Sequence, residues 1–215
     1  MRIIIAALIA TLLAACSFVP SADDPGSDAP DVRGAPGYLF KEVSSYGEAL
    51  KLWRNAGDVN AWIGAKFQYN AARAMQLSET QRTMNARLPI ISPEDFFSTP
   101  NGVCVDLARF AVETLRVVDP ETKPAYVMIE FDPVYIGGNT LRRHWVVTFK
   151  QAGQHYFFAD SKRPGHIAGP YASAQEFIYE YARYRARRIV SFRELESYER
   201  KVRTLATKRS REERP

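Results

Sequence analysis

Between Leu107 and Val118 the chain is nearly all apolar outside one narrow stripe, and that pattern restricts the fold more than any other feature. Asp106, Arg109, Glu113 and Arg116 recur at spacings of three, four and three, so they lie along a single line of a helix. The rest of such a cylinder must be covered, which predicts a helix sunk into the centre of a domain. The residues leading into it, Asn101-Gly102-Val103-Cys104-Val105, place a cysteine at its first turn. A thiol there lies under the positive end of the helix dipole, beside backbone N–H groups without helical partners. That setting favours thiolate and supplies donors for an oxyanion. A cysteine on a central helix is also ordinary packing material, so partners have to be found.

Of three histidines, His144 stands in a run of strand formers, Arg143-His144-Trp145-Val146-Val147-Thr148-Phe149-Lys150. A second such run, His155 to Asp160, follows Gln151-Ala152-Gly153, which reads as a three-residue hairpin loop with glycine in the left-handed position. With Lys150 facing Gln154, His144 falls directly opposite Asp160. Directly opposed Cβ atoms are roughly 4.5 to 5.5 Å apart, close enough for a carboxylate to hold an imidazole. The same register puts Val146 opposite Phe158 and Thr148 opposite Tyr156, and a slip of one residue would separate the pair. Cys104, His144 and Asp160 would then be nucleophile, base and orienting carboxylate. A plain cross-strand His–Asp pair with no thiol nearby is the alternative.

Residues from about 57 to 165 resemble a transglutaminase-like domain, of the papain-related cysteine enzymes. Val59-Asn60-Ala61-Trp62-Ile63 through Phe67-Gln68-Tyr69-Asn70 resembles the family's first helix and its aromatic end. Ser92-Pro93-Glu94-Asp95-Phe96-Phe97 resembles the segment before the nucleophile, and Gly102-Val103-Cys104-Val105-Asp106 its Gly-x-Cys-x-Asp motif. His144-Trp145-Val146 matches the histidine strand, although the family more often reads His-Ala-Trp, and Asp160 matches the aspartate strand. The resemblance implies an α+β fold in which the nucleophile helix packs on an antiparallel sheet. It also implies acyl transfer through Cys104, His144 and Asp160. Cell-wall amidases with Asp-Cys-Ser-Gly fit less well, because Val103 and Val105 flank this cysteine. Arylamine acetyltransferases want Arg-Gly-Gly before it, and only Gly102 is present.

Asp106 is accounted for by the helix dipole, in preference to a role in shaping the nucleophile's loop. The backbone N–H of Cys104 is the natural first oxyanion donor. Gln68, Asn70, Trp62 and Asn101 remain open as the second. His155 and His166 read as bystanders.

Arg2 followed by the apolar run Ile3 to Leu13 is too short for a membrane span and reads as a signal peptide, residues 1–15. Leu13-Ala14-Ala15-Cys16 resembles the bacterial lipoprotein box, in which Cys16 becomes the lipidated first residue, carrying acyl chains such as palmitate. Ordinary secretion with Cys16 unmodified is the alternative. Lipid on Cys16 leaves Cys104 as a free thiol outside the cytosol, where stable cysteines are usually paired. Ser17, a residue other than aspartate, points by family resemblance to the outer membrane facing the periplasm of a bacterial cell envelope. From Pro20 to Gly37 the chain is nearly all Pro, Gly, Ala, Ser and Asp, so residues 16–37 read as a flexible tether.

Residues 38–195 suffice for one domain with a full core. Ser173-x-x-Glu176 opens a last helix as a capping box, with Phe177, Tyr181 and Tyr184 toward the core. Arg183, Arg185, Arg187 and Arg188 read as dipole-favoured helix termination rather than ligand contacts. Residues 196–215 form a basic tail, with six basic and two acidic residues from Lys201 onward in a chain of net charge +5. No phosphate loop, metal-ligand spacing or cofactor motif is found. The expected partners are a protein, peptide or cell-wall peptide substrate and a membrane reached through the lipid, with nucleic acid excluded by compartment. The function expected is a cysteine protease or amidase. A transamidase, or a non-catalytic peptide or cell-wall binding module with the same fold, stands as the alternative.

Overall fold

The computed structural model describes residues 27–34, 40–84 and 88–199. The apolar N-terminal run, the lipoprotein box with Cys16, and the basic residues from Lys201 onward lie outside the described residues. Among the described residues no helix is long and apolar enough to cross a membrane.

Short polar residues start the N-terminal helices. Ser45 caps α1 (Tyr46–Leu52) and Asn55 caps α2 (Ala56–Lys66), each side chain accepting a first-turn N–H. After β1 (Gln68–Tyr69) come α3 (Ala71–Gln76) and α4 (Glu79–Met84). Ser92 caps α5 (Pro93–Ser98), with Pro93 in the first turn, where its missing N–H costs nothing. β2 (Asn101–Gly102) pairs in parallel with β1, Gln68 against Asn101 and Tyr69 against Gly102. That small ladder delivers the chain to α6 (Cys104–Val118), the predicted central helix.

Beyond it lie β3 (Ala125–Ile136), β4 (Asn139–Gln151), β5 (Gln154–Phe158), β6 (Ala168–Tyr171), α7 (Ala174–Tyr184) and β7 (Ile189–Leu195). The last five strands form one antiparallel sheet in the order β6-β5-β4-β3-β7, which with the helices makes an α+β fold. Its two faces carry separate cores. Trp145, Val147, Phe149 and Phe158 pack with α6 and α2, whereas Val127, Ile129, Val146 and Phe157 pack with Phe177 and Tyr181 of α7. On the α6 side, Trp62 stacks on Phe97 at 5.0 Å and meets Phe110 at 4.7 Å, so large rings hold the nucleophile helix in place.

The hairpin register differs from expectation by one residue. Gln151 pairs with Gln154 and Lys150 with His155, leaving a two-residue loop at Ala152 and Gly153, both at positive φ. Such a loop matches the right-handed twist of the strands better than a longer one, which outweighs the strain of a left-handed alanine. The expected face pairs are therefore corrected: Val147, not Val146, opposes Phe158, and Phe157, not Tyr156, opposes Thr148.

The margins of the domain also depart from the composition-based expectation. Residues 27–34, placed in the tether, lie against the fold: Asp31 N–H donates to Lys162 O at 2.9 Å and Gly34 N–H to Pro164 O at 3.0 Å. These contacts use backbone, carboxylates and glycine, so a count of apolar residues could not reveal them. At the other end, Glu196 pairs with Arg116 at 3.1 Å and the Tyr198 ring lies under Arg109, so the first residues assigned to the tail are also docked.

Candidate active site

Cys104 opens α6 and is buried. Val103 has no side-chain oxygen to cap the helix, so the first-turn N–H groups face the thiol's surroundings without a competing side chain. Gly102 is required one residue earlier, because a Cβ there would stand 2.8 Å from Phe96 Cε2 and 3.0 Å from Asp106 Oδ2.

Asp106 organises this junction, which corrects its reading as a simple dipole partner. It is fully buried and accepts from Val103 N–H at 3.0 Å, Ile91 N–H at 2.9 Å, Arg73 Nε at 2.7 Å and Arg73 Nη2 at 2.8 Å. One carboxylate thus ties the nucleophile's loop to α3 and to the segment before α5. A buried ion pair with every oxygen engaged fixes geometry in a way that an exposed one does not.

His144 and Asp160 meet as expected, by a different route. The β4–β5 ladder stops at Val147 and Phe158, and Ala159 turns the chain through a left-handed conformation, φ 54°. Asp160 thereby leaves the strand, and its Oδ1 stands 3.0 Å from His144 Nε2. The same oxygen accepts from Lys162 N–H and from Tyr181 O–H, each at 3.0 Å, while Arg163 Nε reaches Oδ2 at 3.3 Å. The imidazole stacks on the Tyr181 ring, centroids 5.8 Å apart.

Cys104 sulfur, a His144 ring nitrogen and an Asp28 carboxylate oxygen all lie within 4.8 Å of one another. The three predicted residues are thus brought together, and Asp28, which the sequence reading left in the tether, joins them. Its Oδ1 is 3.1 Å from His144 Nδ1 and 2.9 Å from Arg185 Nη2. Arg185 is therefore not simply a helix-terminating cation. It is buried, donates also to Ser27 O at 3.1 Å and Tyr181 Oη at 3.2 Å, and lies over the Phe131 ring. Sulfur, imidazole and carboxylate are a donor set that suits a soft divalent cation, but the guanidinium on the same carboxylate oxygen opposes one.

Electrostatics follow from these neighbours. Burial lowers the proton affinity of His144, yet the charges of Asp28 and Tyr181 and the hydrogen bond to Asp160 outweigh it and hold the ring well above its usual range. Burial would raise Asp160, but the His144 contact, Arg163 and Arg185 keep it far below the ordinary carboxylate range. Asp28 is held down in the same way by His144 and Arg185. Burial and then the Asp28 charge push the Cys104 thiol up, against His144 and the Trp145 N–H. The helix-terminal position alone does not produce a thiolate while Asp28 stands there.

Among the candidates for a second oxyanion donor, Asn70 caps α3 by accepting from Arg73 N–H at 2.9 Å, and Trp62 belongs to the aromatic core. Gln68 is exposed, and Asn101 Oδ1 is buried without a hydrogen-bond partner. Tyr69, which sequence reasoning passed over, lines the cleft with Asp28, Val103, Cys104, Trp145 and Tyr198. Burial and the neighbouring Asp28 and Cys104 raise its phenol, so it stays a donor. His155 makes its contacts elsewhere, pairing with Lys150 and Tyr171 and stacking on Phe157.

No curated protein and no solved structure matches this chain. A family model described as a transglutaminase-like domain matches residues 41–194, which include Cys104, His144 and Asp160. The chain therefore belongs to the transglutaminase-like domain family.

Proposed function

We propose that this protein is a lipid-anchored cysteine hydrolase, a protease or amidase of the bacterial cell envelope, acting on protein, peptide or cell-wall peptide amides. One observation carries the reading: a single imidazole lies between a buried carboxylate 3.0 Å from Nε2 and a thiol at the N-terminus of a central helix. Asp160 sets the tautomer and stabilises the imidazolium, and His144 takes the thiol proton. The Cys104 sulfur attacks the amide carbonyl. The Cys104 N–H and the Tyr69 O–H bind the resulting oxyanion, and His144 returns the proton to the leaving amine. Water then releases the acyl group, and a primary amine in its place would make the same site a transamidase. The anchor is Cys16, set by the box Leu13-Ala14-Ala15-Cys16, with the outer membrane facing the periplasm as the location.

A second reading, a binding module that keeps the fold, draws on the burial of the thiol, which together with the Asp28 charge raises its proton affinity. Mass spectrometry of envelope proteins and muropeptides from cells with native protein or Cys104→Ala separates the readings. Hydrolysis predicts new termini that require Cys104, and transamidation predicts isopeptide links. Identical profiles, with a thiol that iodoacetamide fails to label in folded protein even when Asp28→Asn removes the neighbouring charge, would leave the binding module.

A further inference from the structure

Residues 27–34 run from the candidate site along the loop after Asp160, bending at Ala29 and Asp31, with a recurring interval of three. Asp28 places its carboxylate between His144 and Arg185, and Asp31 places its own against the Lys162 ammonium and 2.9 Å from the Tyr184 hydroxyl. Gly34 fits a notch made by backbone alone, where a Cβ would stand 2.6 Å from Gly165 O. Between these points the peptide bonds in series to the loop after Asp160, Asp31 N–H to Lys162 O and Gly34 N–H to Pro164 O. Backbone pairing with side-chain selection at fixed intervals is how grooves read extended peptides.

The first of these subsites requires an anion on energetic grounds. Arg185 is buried beside His144, and a buried guanidinium left without a counter-charge is strongly destabilising. Asp28 meets that need through Oδ1, which accepts from Arg185 Nη2 at 2.9 Å and stands 3.1 Å from His144 Nδ1. A carboxylate from another chain offers Arg185 the same charge and the same acceptor oxygens.

We propose that this groove is a binding site for an acidic peptide, reading carboxylates three residues apart and a glycine three residues further on, with residues 27–34 as its intramolecular occupant. The proposal deepens the hydrolase reading by naming the substrate class beside Cys104, but binding itself does not need the nucleophile. A segment held by a short connection has an effective concentration in the millimolar range, so it competes strongly with free peptide.

The test uses full-length protein carrying Cys104→Ser and a fluorescein-labelled peptide, Ser-Asp-Ala-Pro-Asp-Val-Arg-Gly, read by anisotropy. Adding Asp28→Asn and Asp31→Asn releases the internal segment, and binding of the labelled peptide should tighten at least tenfold. A peptide with both aspartates replaced by asparagine should bind neither protein. Gly34→Leu supplies an independent release, because its side chain meets Gly165 without touching His144 or Arg185, and should give the same gain. In protein that retains Cys104, both releases should speed iodoacetamide labelling of that thiol at least tenfold. Unchanged peptide affinity in both folded variants, or equal binding of the acidic and neutral peptides, overturns the proposal. Tightened binding with no labelling and no turnover would instead uphold the groove and remove the hydrolase reading.

Discussion

The Asp28 carboxylate stands 3.1 Å from Nδ1 of His144, while Asp160 holds Nε2 of the same ring at 3.0 Å. Two carboxylates therefore share one imidazole, which favours the imidazolium and raises the proton affinity of the thiol whose proton that ring should take. Asp28→Asn removes a negative charge that favours both the imidazolium and the protonated thiol, so both proton affinities fall. The rise in Cys104 alkylation rate with pH should move to lower pH in the variant. An unmoved profile would mean that Asp28 does not contact the site in solution.

Stability should fall as pH rises above neutrality. The folded-state proton affinity of His144 is raised above the ordinary imidazole value of about 6.5, so the native state binds more protons than the unfolded chain. Its contribution is complete below that ordinary value and is lost as pH climbs through the folded value. Asp160 acts in the opposite sense, stabilising above the ordinary carboxylate range and losing its contribution only in strong acid. Melting temperatures of native protein and His144→Gln measured between pH 6 and 9 should converge as pH increases.

Asp160→Asn should retain the fold and lose catalysis. Asparagine keeps an oxygen for the Lys162 and Tyr181 donors but not the charge that stabilises the imidazolium. By analogy with serine proteases, where the equivalent change costs about 10⁴ in turnover, a loss of 10²-fold or more in kcat/KM is expected, with near-native circular dichroism. Turnover within threefold of native would show that Asp160 is not the orienting group.

The buried Asp106–Arg73 pair should be costly to break. Asp106→Ala leaves Arg73 without its carboxylate and frees the Val103 and Ile91 N–H groups, so a loss of about 3 to 5 kcal/mol is expected. Urea unfolding measures it. Alkylation of the remaining folded fraction should also change, because the same carboxylate fixes the loop that carries the thiol.

Gly102→Ala should be more damaging than an added methyl on the surface. Its Cβ would lie 2.8 Å from the buried Phe96 ring and 3.0 Å from Asp106 Oδ2, and a well-packed core meets such overpacking with a loss of about 1 to 3 kcal/mol. Thermal unfolding together with the Cys104 alkylation rate reports both consequences, and native values for both would contradict this packing.

Residue order alone determined a good deal of this protein. The polar line from Arg109 through Glu113 to Arg116 predicted a buried central helix, and α6 is that helix. The cap at Ser173 was legible because capping is a local exchange between a side chain and N–H groups two or three residues away. Cys104, His144 and Asp160 were found as candidates because strand formers, a helix start and family-like motifs lie within short windows. Tertiary structure decided what local pattern could not. Asp160 reaches His144 through the left-handed turn at Ala159 and not through strand register, since the hairpin closed one residue tighter than predicted. The Asp106–Arg73 pair joins residues 33 positions apart, and the Asp28–Arg185 pair residues 157 positions apart. Interactions at that range leave no periodic trace: each partner looks like an ordinary surface charge until the fold removes the water around it, and only then does its counter-charge become obligatory.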